Sequence, residues 1–182
     1  MDYRQIVELF VALAGIAGFF FGLFQYRAAQ KWKRLEYAAN QLQRLTSDPD
    51  LVLAITFLEY SKMNVPLPEK YWELAGSKVL PHSQEKLSKM MDAGHFENSP
   101  EYFIYREAFM RLFEYFQQIY QFIDMGLIDA RDVKGLRWVL DNVACPQRID
   151  DKTLFKRHLA KGFQDVCELL KILKLSDCED II

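Results

Sequence analysis

The stretch LAGIAGFFFGLF, residues 13–24, decides how the rest of the chain is interpreted. No polar side chain occurs from Leu9 to Phe24, and the wider segment Ile6–Tyr26 approaches the roughly 20 residues that cross a bilayer core. A buried core helix, a removable export signal and a retained membrane anchor all fit such a run. We expect the retained anchor, because the following QYRAAQKWKR places bulky and basic residues where a signal cleavage site needs small ones.

Basic residues beside the apolar run predict its orientation. The N-terminal side has Arg4 alone, whereas a basic segment follows on the C-terminal side, namely Arg27, Lys31, Lys33 and Arg34. Since positive residues stay on the cytoplasmic side, we expect the N-terminus outside and the bulk of the chain in the cytoplasm. We expect this basic segment to lie against anionic headgroups rather than nucleic acid, since the net charge of −2 gives no general attraction to phosphate backbones.

Small residues recur along one face of the predicted membrane helix. Ala14, Gly18 and Gly22 are spaced by four, and Gly15 lies close to the same face. In lipid, helices associate by close backbone approach over small residues, so this glycine face predicts a homo-oligomer. The alternative is that glycine is simply frequent in membrane helices.

The remaining patterns predict an all-α fold. We expect a transmembrane anchor over residues 1–26, a juxtamembrane helix over 27–45 that continues it, and a cytoplasmic bundle of five to seven helices over 46–182. SDPD at 47–50 ends one helix and starts the next, which is apolar nearly all round. No convincing alternation or hairpin dipeptide occurs, so no strand is expected.

The longest soluble helix is predicted from a Ser99 cap to Met125. Its aromatic side chains follow helical spacing, which favours packing between helices; an aromatic ligand groove is the alternative. Other helices are expected in PEKYWELAGSKVL, PHSQEKLSKMMDAGH and DARDVKGLRWVLDNVAC, and from Asp150 or Asp151 to Leu173.

Motifs of catalysis are missing from the sequence. There is no phosphate-binding glycine loop, no HExxH and no GxSxG, and the three cysteines have no CxxC spacing. The isolated His82, His95 and His158 are expected at the surface or in caps. We therefore expect no enzyme, no catalytic residue, no metal site and no cofactor.

The run FQYRAAQKWKRLEYAANQL…SDPDLVLAI resembles a loosely defined group of small bacterial proteins with an N-terminal anchor. The shared features are Gln25 to Arg27, Gln30 to Arg34, Asp48–Pro49 and Gly126 to Ile128. The resemblance covers most of the chain, and its motifs describe architecture rather than a site.

In size and layout the chain also resembles the membrane accessory proteins of type VI-B CRISPR systems. That resemblance implies a degenerate HEPN-like cytoplasmic domain, a pore in the bacterial inner membrane and a link to an RNA-targeting nuclease. HEPN ribonucleases have an arginine, four to six residues, then a histidine; here five residues separate Lys152 from His158, and five also separate Lys89 from His95. Lysine lacks the bidentate phosphate fork of arginine, so the pair Lys152 and His158 is a weak nuclease candidate.

Three functions follow as hypotheses. The first is a self-assembling membrane effector, such as a pore in antiviral defence. The second is an anchored adaptor that recruits a cytoplasmic partner, and the third is a membrane-tethered ribonuclease.

Overall fold

The computed structural model describes residues 2–91, 99–144 and 162–173, and most of them are helical. Their α-helices are α1 (Tyr3–Ser47), α2 (Pro49–Glu59), α3 (Trp72–Ala75), α4 (Gln84–Met91), α5 (Pro100–Asp124), α6 (Arg137–Ala144) and α7 (Gln164–Ile172). Two 3-10 turns cover Glu69–Tyr71 and Lys134–Leu136, and two short strands are β1 (Lys62–Pro66) and β2 (Val79–Ser83). The chain divides into two compact units, Met1–Ala39 and Asn40–Ile182.

Helix α1 is continuous over 45 residues, which confirms the expectation that the apolar segment and the segment after it form one helix. No proline interrupts the sequence before Pro49, so every backbone amide within the helix is free to donate. The predicted boundaries at residues 26 and 45 stay a prediction.

Helix α2 begins where the SDPD motif predicts. Asp48 caps it by accepting a hydrogen bond from the Asp50 amide at 3.0 Å, and Pro49 occupies the first helical position. Six of its side chains are buried, namely Leu51, Leu53, Ala54, Ile55, Phe57 and Leu58. The apolar sequence of this helix therefore supplies a central part of the core of the second unit.

The expectation of no strand is wrong for residues 62–83. Strands β1 and β2 pair antiparallel, from Lys62 opposite Ser83 to Pro66 opposite Val79. Pro66 and Pro81 hide the alternation in the sequence, and residues 67–78 connect the strands in place of a short turn. Consequently the helix predicted in PEKYWELAGSKVL is confined to residues 69–75 and ends before Gly76, which has a φ of 60°. The helix predicted in PHSQEKLSKMMDAGH begins only at Gln84.

Helix α5 forms the centre of the second unit. Ser99 Oγ accepts a hydrogen bond from the Tyr102 amide at 3.2 Å, and Gly126 follows the helix at φ 69°, as the sequence predicts. The helix packs against α2, α3, α4 and α7. Its aromatic rings lie within this packing, with Phe57 and Tyr105 centroids 4.3 Å apart and Phe113 and Phe163 centroids 4.7 Å apart. This burial favours packing as the role of the aromatic residues.

The last predicted helices are shorter than expected among the described residues. Asp129 and Asp132 accept backbone hydrogen bonds in a turn, and α6 starts only at Arg137 after a 3-10 turn. The apolar side of the predicted helix is nevertheless buried, through Val133, Leu136, Leu140 and Val143. The predicted single helix up to Leu173 is wrong, because Phe163 is not helical and α7 begins only at Gln164; its predicted start at Asp150 or Asp151 lies outside the described residues.

Candidate functional site

The N-terminal part of α1 is an exposed apolar surface. An 18-residue window of this helix has a mean hydropathy of 2.3, with none of it buried. Its phenylalanines Phe10, Phe19, Phe20, Phe21 and Phe24 are 63–73% exposed. By length and composition the helix can cross a membrane. An apolar surface of this extent is a typical site of contact with lipid or with another protein.

Aromatic residues flank this surface. Tyr3 is 81% exposed and Tyr26 is 63% exposed. At 1.5 Å per residue they are separated by roughly 35 Å along the helix axis, close to the thickness of a bilayer core. Amphipathic aromatic rings favour the two interfaces of a membrane, so their spacing fits a span between them.

The glycine face lies open within the exposed surface. A methyl group added at Gly15, Gly18 or Gly22 would meet no atom within 4 Å, apart from the helix's own neighbouring backbone. With about 100° of rotation per residue, Ala14, Gly18 and Gly22 form a stripe about 80° wide. The chain itself thus leaves room for another backbone to approach along this stripe.

The basic segment follows on the same helix. Arg27, Lys31 and Lys33 are exposed, and Arg34 is half-buried. Trp32 between them is 73% exposed. A cationic and aromatic segment directly after an apolar helix matches the chemistry of a headgroup layer.

Of the two lysine–histidine pairs with a spacing like that of HEPN ribonucleases, only Lys89 is among the described residues. Lys152, His158 and His95 lie outside the described residues. Lys89 forms an ion pair with Glu85 at 2.8 Å, and this hydrogen bond lowers the pKa of the Glu85 carboxyl. Lys89 thus belongs to an ordinary exposed pair on one helix.

His82 corrects the expectation of a surface or cap role. It is 2% exposed, and its Nε2 lies 2.8 Å from the Tyr60 carbonyl oxygen, which only accepts. Nε2 therefore carries the proton, and Nδ1 accepts from the Tyr105 hydroxyl at 2.7 Å. Burial lowers the pKa of His82, so the ring is held neutral.

Gln84 extends this buried polar group. Its side-chain nitrogen donates to the carbonyl oxygens of Phe57 and Tyr60, each at 3.1 Å. Both oxygens belong to the last turn of α2 and the residue after it, where helical partners run out. His82 and Gln84 therefore fasten the hairpin to the end of α2, a structural task that no local sequence motif indicates.

A charged cleft of about 740 Å³ opens beside the start of α2. Arg111 bridges Asp48 at 3.3 Å and Glu114 at 3.7 Å, while Asp50 binds Lys70 and accepts from the Tyr71 hydroxyl at 3.0 Å. Burial, followed by the Asp50 hydrogen bond, raises the pKa of Tyr71 above its ordinary value. Through these ion pairs and the Tyr71 hydrogen bond, the network ties α2, α5 and the 3-10 turn Glu69–Tyr71 together.

The described part of the chain contains no assembled set of metal ligands. No group of three His, Cys, Asp or Glu side chains there is placed to hold an ion.

Comparisons of the chain with protein-family models, with curated proteins and with solved structures found no match. The class that the fold and the site define is a predominantly helical protein with one N-terminal helix long and apolar enough to span a membrane.

Proposed function

We propose that the chain is a single-pass membrane protein that self-assembles through the glycine face of α1. Its assembly acts as a homo-oligomeric pore or membrane-perturbing effector, and the protein is not an enzyme. The observation that carries this proposal is the open stripe of Gly15, Gly18 and Gly22 on an exposed apolar helix. In lipid, such a stripe offers close packing that larger side chains prevent.

The proposed location is the bacterial inner membrane, with the N-terminus outside and residues after the anchor in the cytoplasm. The four cations of the basic segment, against Arg4 alone on the other side, support this orientation. Membrane lipid is the surrounding partner, and direct binding of nucleic acid is not part of the proposal.

The antiviral setting, including a link to an RNA-targeting CRISPR nuclease and a HEPN-like domain, rests on the resemblance of layout. It predicts that the protein strengthens defence against phage when expressed beside such a nuclease. Equal phage survival with and without the protein would remove this part of the proposal and leave self-assembly in place.

An anchored adaptor is the second candidate. It is favoured by the apolar character of residues 9–24, since a permanently water-filled channel needs polar lining. In the pore hypothesis, the small residues instead form a hydrophobic constriction that opens by wetting. A ring requires contacts that close after several copies, whereas an adaptor needs only a dimer.

The first experiment measures the mass of the full chain in detergent. We expect an oligomer for wild type and a smaller species for the double variant Gly18→Ile/Gly22→Ile, because the branched side chains separate the backbones. The matched control is Ala12→Ile/Ala17→Ile, which adds similar bulk on other faces and should keep the oligomer. A monomeric wild type contradicts the proposal.

The second experiment separates the pore from the adaptor. Full chain reconstituted in vesicles should release an entrapped dye, and Gly18→Ile/Gly22→Ile should abolish the release. An oligomer that releases no dye supports the adaptor. RNA cleavage by wild type that is lost in His158→Ala would instead support the ribonuclease hypothesis.

A further inference from the structure

The basic segment of α1 has two sides. Each residue is rotated by about 100° around the helix axis from the one before it. Measured around this axis from Gly18, Arg27 lies about 180° away and Lys31 about 140° away, so both face away from the glycine face. Lys33, by contrast, lies only about 60° from Gly18 and within about 20° of Gly22. Because α1 is one continuous helix through Ser47, the same angles around the axis apply to its apolar part and its basic part.

The two sides also differ in charge. On the glycine side, Lys33 is accompanied by Glu36, which lies at the same angle around the axis as Gly18. One positive and one negative charge therefore balance on this side. The opposite side carries Arg27 and Lys31, with no acidic residue between positions 9 and 35, and also the half-buried Arg34, about 160° from Gly18. Among the described residues, no ion pair involves Arg27, Lys31 or Lys33, and all three are exposed. The far side therefore presents uncompensated positive charge.

The depth of these residues matches a headgroup layer. If the span ends near Tyr26, Arg27 lies about 1.5 Å and Lys31 about 7.5 Å beyond it along the axis. Lys33 lies about 10.5 Å beyond it. Headgroup regions add roughly 5–8 Å on each side of the hydrocarbon core. Long basic side chains reach several ångströms back along the helix, so Arg27, Lys31 and Lys33 all meet lipid phosphates wherever lipid has access to them.

From these observations we infer that Arg27 and Lys31 form a binding face for anionic phospholipid, directed away from the glycine face, and that Lys33 lies at the contact between copies. This inference rests on the proposed self-assembly, because only association through the glycine face shields Lys33 from lipid. The lipid phosphates then surround the assembly on its outside. Arg27 and Lys31 thereby have a function different from that of Lys33.

The test uses the full chain reconstituted in phosphatidylcholine vesicles with spin-labelled phosphatidylglycerol or spin-labelled phosphatidylcholine. Electron spin resonance gives the preference of the protein-bound lipid layer for the anionic probe. Lys31→Gln should lower this preference by up to about fivefold, and Arg27→Gln/Lys31→Gln should lower it further. Lys33→Gln is the matched control, with the same change two residues away, and should leave the preference unchanged.

A second set of variants tests whether the lipid preference depends on assembly. In the Gly18→Ile/Gly22→Ile background, lipid reaches both sides of α1, so Lys33→Gln should now lower the preference as much as Lys31→Gln does. Equal effects of Lys31→Gln and Lys33→Gln in the wild-type background would overturn the inference, as would a wild type without any preference for the anionic probe.

Failure of the inference and failure of the proposed function have different signatures. An oligomeric wild type with equal effects of the two lysines overturns the two-sided lipid face alone. A monomeric wild type, by mass, overturns self-assembly and the placement of Lys33 with it.

Discussion

Helices α1 and α5 use the same side chain in opposite environments. Phe19, Phe20 and Phe21 of α1 are 63–68% exposed, whereas Phe109, Phe113 and Phe116 of α5 are at most 3% exposed. The difference lies in spacing. Three consecutive residues point in directions about 100° apart and cover a helix nearly all round, whereas spacings of three and four place rings on one side.

The comparison shows what each helix is built to contact. In α5 the aromatic stripe packs against α2 and α7, so each ring is enclosed by protein. In α1 the rings cover the surface apart from the glycine face. The number of phenylalanines therefore does not distinguish the two helices, whereas the spacing of the phenylalanines separates a core helix from one with an exposed apolar surface.

The largest expected effect tests this difference with one substitution on each helix. Phe116→Ala should lower the free energy of unfolding of the second unit by about 3–5 kcal/mol, because it leaves a cavity at a residue that is 0% exposed. Phe20→Ala should change that free energy by less than about 0.5 kcal/mol. Denaturant unfolding of the full chain in detergent, followed by far-ultraviolet circular dichroism, measures both. Similar losses in the two variants would contradict the division into a core helix and an exposed apolar helix.

A smaller effect is expected at His82, where the core of the second unit includes a titratable group. Its folded pKa is lowered below the ordinary 6.5, mainly by burial. Its stabilising contribution is therefore complete above about pH 6.5 and is lost as the pH falls below that value, because the unfolded chain binds the proton more readily. At pH 7.5, His82→Gln should cost about 1–3 kcal/mol through imperfect hydrogen bonds to Tyr60 and Tyr105.

Melting temperatures of wild type and His82→Gln between pH 8 and pH 5 check this prediction. The amide of glutamine has a donor and an acceptor but does not titrate in this range. The wild-type melting temperature should fall more steeply below pH 6.5, and the two curves should run parallel above pH 7.5. Parallel curves over the whole range would show that His82 is not the titrating group.

Sequence patterns predict the features of this molecule that depend on neighbouring residues. Asp48–Pro49 and Ser99–Pro100 mark the starts of α2 and α5, and Gly126 marks the end of α5, because caps and turns act within a few residues. The glycine face follows in the same way from helical period. These features include the candidate site itself, since α1 needs no partner elsewhere in the chain to display it.

Sequence patterns do not predict the features that depend on contacts between distant residues. The β1–β2 hairpin is stabilised by His82, whose ring bonds to Tyr60 and Tyr105, 22 and 23 residues away. Nothing near His82 in the sequence shows that a carbonyl and a hydroxyl will meet its two nitrogens in the core. Isolated histidine suggested the surface, but two matched hydrogen bonds offset the cost of burying its neutral ring.

The smallest expected effect compares two glycines. At Gly135 an added Cβ would lie 3.0 Å from Leu42 Cδ1 and 3.3 Å from Cδ2, whereas at Gly18 it would meet nothing within 4 Å. Gly135→Ala should therefore lower the free energy of unfolding by about 1 kcal/mol through crowding against the C-terminal part of α1. Gly18→Ala should not lower it, because alanine favours an exposed helix.

The double variant Leu42→Val/Gly135→Ala tests whether crowding against Leu42 causes the loss of stability in Gly135→Ala. Shortening the side chain at position 42 makes room for the new methyl group, so the two substitutions together should cost less than the sum of their separate costs, by about 0.5 kcal/mol or more. Additive costs, or a stabilising Gly135→Ala, would mean that Leu42 moves aside freely. The close approach at Gly135 would then be incidental, and the contrast between a packed glycine and an open one would rest on the glycine face of α1 alone.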